Sequence, residues 1–181
     1  MRIAFVGSHR VGKSTLLATI AELLPGYTTV DEPYYLLEEE GYQSSEPPSL
    51  EDFEAQLERS LLAIEHSEAN TLFDRCPADI LAYLLVHDDA SAFDGDAWSE
   101  RTREIMSMLD LIIFVPVESP DRIPLPAHED RRQRRAVHDK LHELLLEGAL
   151  EIEAGVVRVQ GSTRERVEQI RARIEALRDQ T

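Results

Sequence analysis

Cysteine and long apolar runs are nearly absent from this sequence of 181 residues. Its single cysteine, Cys76, cannot form an intrachain disulfide, so a reducing compartment is expected. No apolar run approaches the ~20 residues that a transmembrane helix needs. A strand pattern begins at residue 2 without a signal-peptide pattern before it. We therefore expect a cytoplasmic protein that does not span a membrane.

Positive charge is also scarce. The chain has 35 acidic residues against 19 basic ones, which gives a formal net charge of −16. Nucleic acids and anionic membranes are bound through clustered positive charge, so neither is an expected partner. The hydrophobic fraction of 43% is typical of a globular protein. We expect a single domain, residues 1–181, with a sizeable core.

One segment, Gly7–Ser14, carries a specific motif. It reads G-S-H-R-V-G-K-S and matches the phosphate-binding pattern G-x-x-x-x-G-K-[ST] in full. An apolar run at residues 3–6 precedes it and is typical of a buried strand. Leucine and isoleucine follow at helical spacing until Pro25 and Gly26 end the pattern. Strand, glycine loop and helix thus occur in the order that binding of a nucleoside triphosphate requires.

The residues of this phosphate loop have separate expected roles. Gly7 and Gly12 permit backbone angles that a side chain forbids, so that backbone N–H groups can point at a bound phosphate. The helix that begins near Lys13 directs its positive dipole end at the same place. Lys13, expected to be exposed, would contact the β- and γ-phosphates, and Ser14 would offer its hydroxyl to Mg²⁺. Thr15 either binds the nucleotide or caps the first helical turn.

Five short apolar runs alternate with helical patterns along the chain, which predicts an α/β protein with an open parallel sheet and helices on both faces. The predicted strands cover residues 3–6, 27–30, 71–74, 111–115 and 156–159. Helices are predicted to begin at Ser49 with Asp52 as capping-box partner, at Pro77, near residue 96, at an arginine cluster, and near Thr163. Loops at residues 34–48 and 88–100 would carry contacts to an acceptor.

Charged residues follow several of these strands. Ligands of parallel sheets bind beyond the carboxyl ends of the strands, and this rule brings Glu32, Asp74, Arg75 and Glu118 to the same edge as the phosphate loop. A carboxylate there can act as a general base or hold magnesium-bound water. The structural alternatives are a solvated acid for Glu32 and a turn-fixing ion pair for Asp74 with Arg75.

Four arginines, at positions 131, 132, 134 and 135, cluster at the start of a predicted helix. On a helical projection Arg134 shares the inward face with Val137, and Arg131 lies on the same side. An arginine that closes over transferring phosphates needs this placement. The alternative is a solvated helix face on which the arginines pair with nearby acids.

These motifs resemble those of the deoxynucleoside kinases. Asp31-Glu32-Pro33 resembles their acidic-Pro motif, Asp74-Arg75 resembles their [DE]-R-S motif, and residues 118–135 resemble their arginine-bearing lid. Cys76 departs from the pattern, because the family often has Ser there. Nucleoside-monophosphate kinases and the P-loop ATPases similar to nicotinamide riboside kinases share the layout. The resemblance therefore indicates a P-loop small-molecule kinase more strongly than any one substrate.

The resemblance implies a three-layer α/β/α P-loop fold with a five-stranded parallel sheet, and ATP and Mg²⁺ as cofactors. It implies Glu32 as the general base or as a carboxylate of the magnesium shell, two roles that the sequence does not separate. Asp74 would be a catalytic residue near Mg²⁺, and Arg75 would bind the acceptor. Arg131 and Arg135 would be the lid arginines that act on the phosphates.

The expected function is ATP- and magnesium-dependent phosphoryl transfer to a small metabolite, a nucleoside or a nucleotide. The alternative is a nucleotide-switched regulatory ATPase without a small-molecule acceptor, which does not need the strand-end acids together with an arginine lid. A GTPase is disfavoured because Thr and Leu follow the only asparagine, Asn70, so the N-K-x-D motif is absent. The expected partners are a nucleoside triphosphate and the acceptor, and the helix at residues 50–69 offers a face for a homodimer.

Other residues have an ordinary structural interpretation beside a functional one. His9 and Arg10 lie inside the phosphate loop and would touch the γ-phosphate or the acceptor. His138 and His142 are spaced like a metal-binding pair but have no third ligand, and they are interpreted as residues of a helix surface. Cys76 has no histidine partner and is interpreted as structural. Three tyrosines either stack on a nucleobase or pack in the core or a loop: Tyr34, Tyr35 and Tyr42.

Overall fold

The computed structural model describes residues 1–126 and 129–179. The strands are β1 Arg2–Val6, β2 Thr28–Val30, β3 Thr71–Asp74, β4 Leu111–Phe114 and β5 Gly155–Arg158. The helices are α1 Lys13–Leu23, α2 Pro33–Glu39, α3 Leu50–Glu65, α4 Pro77–Val86, α5 Gly95–Met106, α6 Arg131–Leu146 and α7 Thr163–Arg178. The five strands form one parallel sheet in the order β2-β3-β1-β4-β5, which confirms the predicted fold class.

The side chains of the strands alternate between the two faces of the sheet. Ala4 and Phe73 belong to a core with residues of α3, α4, α5 and α6, whereas Ile3 and Leu72 belong to a second core with residues of α1 and α7. This alternation follows from the two-residue period of a strand. Because both faces are covered, β3 and β4 are buried throughout, as their continuous apolar composition predicts.

The helix starts test the capping predictions. The Ser49 hydroxyl accepts the N–H of Asp52, and the Asp52 carboxylate accepts the N–H of Ser49, so the predicted capping box of α3 is confirmed. Helix α7 begins at Thr163, as predicted, with Ser162 as the capping residue and Glu165 completing the capping box. Arg166 lies on the buried face of α7.

Residues 34–48 were expected to form a loop, but helix α2 occupies Pro33–Glu39. Pro33 is its only buried residue, and its other apolar residues, at positions 34–37, are contiguous and not spaced at the helical period, so the sequence pattern does not indicate a helix there. The loop expected at residues 88–100 contains a short 3₁₀ helix, Ala90–Ala92, and the start of α5 at Gly95.

His138 is buried, and its interpretation as a surface residue is wrong. Its ring stacks on Phe114 with the centroids 5.6 Å apart, and Val117 donates its backbone N–H to Nδ1 at 3.3 Å. His142 instead contacts Glu147. Within the described ranges, no group of three or more His, Cys, Asp or Glu could hold a metal ion.

Two further expectations concern surfaces. In residues 1–126 and 129–179, no helix is long and apolar enough to cross a membrane. The apolar residues of α3, including Phe53, Leu57 and Leu61, are buried in the core of the chain itself. A homodimer through this helix would therefore have to use its polar face.

Candidate active site

The order of the strands assembles the site. The carboxyl ends of β2, β3 and β1 lie next to one another at one edge of the sheet. Glu32 follows β2, Asp74 and Arg75 lie at the end of β3, and the phosphate loop follows β1. The chain order reverses between β1 and β4, which is the position where open α/β sheets bind ligands.

The phosphate loop has the conformation of an anion site. Gly12 caps α1 with φ of 91°, a left-handed angle that favours glycine. A Cβ atom on Gly7 would lie 2.4 Å from the carbonyl oxygen of Val115, so the position has no room for a side chain. In the described part of the chain, no hydrogen bond uses the N–H groups of Gly12, Lys13 and Ser14. These amides at the positive end of α1 are available to a phosphate.

Buried arginines hold the loop from behind. Arg134 of α6 donates Nε to the carbonyl of His9 at 3.0 Å and Nη2 to that of Arg10 at 3.4 Å. Arg166 of α7 donates Nη1 to the carbonyl of Val11 at 2.8 Å. Both are almost fully buried, with 5% and 7% exposure. The two arginines donate hydrogen bonds to carbonyl groups of the loop, so the amide groups of the loop stay available to a ligand. The predicted inward position of Arg134 is confirmed, whereas the role of Arg166 was missed.

Asp79 anchors the first residue of the loop. Its carboxylate, fully buried, accepts the N–H of Gly7 at 2.9 Å and the N–H of Cys76 at 3.1 Å. Burial raises the pKa of Asp79 to about 6, although the charges of Arg75 and Lys13 oppose this rise. Cys76 caps α4 and is buried, which raises the pKa of its thiol, so its structural interpretation is confirmed.

Lys13 is only 4% exposed, so the expectation that it would be exposed is wrong. Its Nζ folds into the loop and donates to the carbonyl of Ser8 at 3.2 Å. Burial, assisted by the positive charge of Arg75, lowers the pKa of Lys13 to about 8. The physical reason is that the loop curls over the start of α1 and removes the ammonium group from water.

Arg75 links Glu32, which follows β2, and Asp79 of α4 to the loop. Its Nε donates to Glu32 at 2.6 Å, and its Nη1 lies 3.3 Å from both Asp79 and the carbonyl of Gly7. Burial favours the neutral form of Glu32, but Arg75 and Lys13 outweigh it and lower the pKa of this carboxyl. Glu32 is therefore a carboxylate at neutral pH, held beside the phosphate loop.

Asp74 and Ser14 form an oxygen-rich pair near Lys13. Asp74 is 7% exposed, and its Oδ1 has no hydrogen-bond partner within the described ranges. Burial raises the pKa of Asp74, while the contact with the Ser14 hydroxyl and the charge of Lys13 oppose the rise. An unpartnered carboxylate oxygen beside an exposed hydroxyl fits the oxygen ligands that Mg²⁺ prefers. Thr15 is exposed and does not cap α1, because that helix has no side-chain cap.

A cavity of about 760 Å³ opens beside Glu32 and Arg75, and we call it the Glu32 cavity. Phe53 and Tyr83 form one wall, with their rings stacked 5.4 Å apart at 11°. The guanidinium of Arg75 lies 5.6 Å from the centre of the Tyr83 ring. Gln56, which is 6% exposed, also lines this cavity. Of the three tyrosines named from the sequence, Tyr34 lines the cavity, while Tyr35 and Tyr42 are not among its lining residues.

The arginines at the start of α6 face different ways. Arg132 lines the Glu32 cavity. Arg131 and Arg135 line a smaller cavity of about 220 Å³ beside Glu118, which we call the Glu118 cavity. The side chain of Arg135 is 62% exposed and pairs with Asp139 on its own helix. The structure therefore separates the two arginines predicted to be catalytic from the Glu32–Arg75 pair.

The side chains of His9 and Arg10 contact the segment that precedes α6. Arg10 Nε lies 2.7 Å from one carboxylate oxygen of Glu129, and His9 Nε2 lies 3.2 Å from the other. His9 Nδ1 lies 3.3 Å from the hydroxyl of Tyr83. Burial lowers the pKa of His9 even though Glu129 opposes this shift, so the ring is neutral at pH 7.

The sheet order and the glycine loop after β1 define the P-loop fold of the small-molecule kinases. The family model AAA_28, described as an AAA domain, matches residues 2–166, and the chain belongs to this family. No curated protein matches the sequence.

Solved structures share the fold across almost the whole chain. Deoxyadenosine kinase from M. mycoides with dCMP and dCDP bound has a TM-score of 0.66 at 16% identity, over 98% of this chain and all of that one. NadR in complex with NAD and AMP-PNP has a TM-score of 0.66 at 19% identity, over 94% of this chain and 48% of that one. Thymidylate kinase from Candida albicans has a TM-score of 0.65 at 16% identity, over 99% of this chain and 93% of that one. At such identities the likeness shows the fold.

Proposed function

We propose that the protein is a kinase that uses ATP and Mg²⁺ to phosphorylate a small metabolite, a nucleoside or a nucleotide. The observation that carries this proposal is the carboxylate of Glu32, which lies between a phosphate loop and a cavity of about 760 Å³. A protein that only hydrolyses or exchanges nucleotide has no use for a cavity of this size next to the loop.

The nucleotide would bind through the phosphate loop. The amides of Gly12, Lys13 and Ser14 donate to the phosphates, and the Lys13 ammonium adds a positive charge beside them. Ser14 and Asp74 would hold the metal ion, which when bound neutralises charge on the β- and γ-phosphates. The buried side chains behind the loop keep its amides aligned throughout the reaction.

The acceptor would bind in the Glu32 cavity. Its hydroxyl oxygen attacks the γ-phosphorus, an O–P bond forms, and the bond from the γ-phosphorus to the bridging oxygen breaks. ADP leaves with the electron pair of that bond, and the hydroxyl proton passes to Glu32. Arg75 holds the Glu32 carboxylate in place through a hydrogen bond of 2.6 Å.

The arginines at the start of α6 would bind different ligands. Arg131 and Arg135 lie beside Glu118, just beyond the end of β4, and we assign them to the phosphates of the nucleotide. Arg132 faces the acceptor side. Arginine suits the phosphate role because its planar guanidinium can bind phosphate oxygens in pairs.

The similar structures support the reaction class. Deoxyadenosine kinase was solved with the nucleotides dCMP and dCDP, and NadR with NAD and the ATP analogue AMP-PNP. The same fold carries nucleotides in these proteins, and this supports ATP as the donor and a nucleoside or nucleotide as the acceptor.

An ADP-release screen tests the proposal. The purified protein is incubated with ATP and Mg²⁺ and with nucleosides, nucleoside monophosphates or pyridine ribosides, and a reaction without acceptor serves as the control. We expect at least one acceptor to raise ADP release well above the control. Equal ADP release in all reactions would contradict the kinase and favour a nucleotide-switched regulatory ATPase.

A further inference from the structure

The charges that line the Glu32 cavity do not suit a phosphate group. Among the described residues, the lining carboxylates are Glu32, Asp88 and Asp130, and the lining guanidiniums are Arg75 and Arg132. Three negative charges therefore face two positive ones. A site that takes up a phosphate monoester, which carries nearly two negative charges at neutral pH, needs a surplus of positive charge instead.

Of the two lining arginines, Arg75 is already paired with two carboxylates. Its guanidinium lies 2.6 Å from the carboxylate of Glu32 and 3.3 Å from that of Asp79, so two carboxylates share one guanidinium. Its side chain is only 10% exposed. An incoming phosphate would have to displace Glu32 from Arg75 and would leave a carboxylate that is only 22% exposed without its partner, which is costly.

The ionised state of Glu32 gives a second argument. A hydroxyl group must lose its proton during phosphoryl transfer, and a nearby carboxylate can accept that proton. A phosphate monoester is already largely ionised at pH 7, because its second pKa is about 6, and it needs no base. A carboxylate held within 2.6 Å of its arginine beside the phosphate loop is useful to a hydroxyl acceptor and repels a phosphate acceptor.

The aromatic wall of the Glu32 cavity indicates which kind of ring the acceptor carries. Phe53 and Tyr83 stack on each other in this wall, and His87 packs edge-on against Phe53 with the centroids 5.9 Å apart. All three residues line the cavity. A ring of the acceptor can pack against these aromatic side chains, and the excess of carboxylates favours an uncharged or cationic ring over an anionic one.

We propose that the acceptor is an uncharged or cationic nucleoside that is phosphorylated on a hydroxyl group, and that the site rejects the phosphate monoester of the same compound. This inference rests on the proposed kinase function and selects one of the acceptor classes that the proposal leaves open. The selectivity comes from the carboxylates of the Glu32 cavity, including the exposed Asp88 at its rim.

Matched pairs test the inference: adenosine with AMP, thymidine with dTMP, cytidine with CMP, and a pyridinium riboside with its mononucleotide. We expect kcat/KM for the preferred nucleoside to exceed that of its monophosphate by about 100-fold or more, since like charges brought together at a site disfavour binding. A monophosphate that is the better substrate of its pair would overturn the inference.

Binding separates this inference from the kinase proposal. Calorimetric titration of each pair into the protein with ADP and Mg²⁺ measures affinity without turnover. If nucleosides bind more tightly than monophosphates but no acceptor supports ADP release, the kinase proposal fails and the charge-based selectivity stands. Tighter binding of the monophosphates contradicts the selectivity, whatever the turnover shows.

A charge reversal locates the source of selectivity. Asp88→Arg places a positive charge on the cavity rim, and we expect it to raise the affinity for the monophosphate relative to the nucleoside by about tenfold. Glu22→Arg makes the same charge change at the far end of α1, on an exposed residue outside the cavity lining. This control should change the ratio of monophosphate to nucleoside affinity by less than about twofold, because salt screens a charge at this distance. Equal shifts in the two variants would contradict a local origin.

Discussion

The phosphate loop and the Glu32 cavity lie side by side but are built by opposite means. In the loop, the groups offered to a ligand are backbone amides, and buried side chains of α4, α6 and α7 fix their directions. In the cavity, the groups offered are side chains from several helices and loops, and some of them, such as Asp88, are exposed.

This difference separates two kinds of recognition. A triphosphate presents the same geometry whatever acceptor it serves, so a rigid backbone site can bind it. The acceptor is recognised by side chains, which can be exchanged without disturbing the sheet. Substitutions in the loop should therefore act on the fold or on every reaction, while substitutions in the cavity should act on the choice of acceptor.

The largest effect is expected for Lys13→Ala. The variant removes the buried charge that faces the phosphates, and turnover should fall about 10²–10³-fold, as is usual for loss of a preorganised electrostatic group. Its melting temperature should change little, because burial already disfavours the charged ammonium. Steady-state kinetics and thermal unfolding provide the comparison. A loss of stability that matches the loss of activity would show a structural role.

The rigidity of the loop is tested by Gly7→Ala against Gly26→Ala. A Cβ atom on Gly7 would lie 2.4 Å from the Val115 carbonyl oxygen, whereas one on Gly26, with φ of 92°, meets no atom within 4 Å. We expect the free energy of unfolding to fall by about 3 kcal/mol in the first variant and by about 1 kcal/mol in the second. Denaturant titration measures both, and equal losses would contradict a tightly packed loop.

Nucleotide affinity should depend on pH through Lys13. Its folded-state pKa of about 8 lies below its ordinary value, so the ammonium loses its proton as pH rises through about 8. ATP binding should weaken about tenfold from about pH 7 to about pH 9. Between about pH 8 and pH 10.5, Lys13 keeps this proton in the unfolded chain but has lost it in the folded chain. The free energy of unfolding therefore increases with pH over this range through Lys13. Affinity that is constant across this range would contradict the buried position of Lys13.

A smaller effect is expected for Arg135→Ala. Its side chain is 62% exposed and pairs only with Asp139 among the ion pairs of the described residues, so stability should change by less than about 0.5 kcal/mol. Turnover should fall about tenfold if the residue reaches the transferring phosphates. Arg164→Ala removes an arginine whose side chain is 89% exposed and pairs with Glu168 on α7, and it should leave turnover unchanged. Equal turnover in the two variants would remove Arg135 from the site.

The parts of this site that the sequence predicts are local or follow from topology. The phosphate loop is a contiguous motif, and the parallel sheet brings the ends of β2 and β3 beside it by a general rule. Glu32, Asp74 and Arg75 could therefore be named from the sequence, although not their partners. The ion pair between Glu32 and Arg75 joins residues 43 positions apart, and no sequence pattern specifies it.

The anchors of the loop were missed for the same reason. Asp79 and Gly7 are 72 positions apart, and Arg166 and Val11 are 155 apart. A signal for Arg166 existed, because it stands one helical turn before the buried Ile170 and so faces inward. The direction of each arginine at the start of α6 depends on how that helix sits against the loop, which periodicity alone does not reveal.

The central claim is that Glu32 acts on the acceptor and not on the nucleotide, and Glu32→Gln tests it most directly. The substitution keeps the size of the side chain and removes its charge. ATP affinity should stay within about twofold of the original protein, because the loop amides and Lys13 carry nucleotide binding, while transfer to the acceptor should slow by about 10²-fold or more. Unchanged transfer, or a loss of ATP affinity as large as the loss of transfer, would contradict the assignment of Glu32 as the general base.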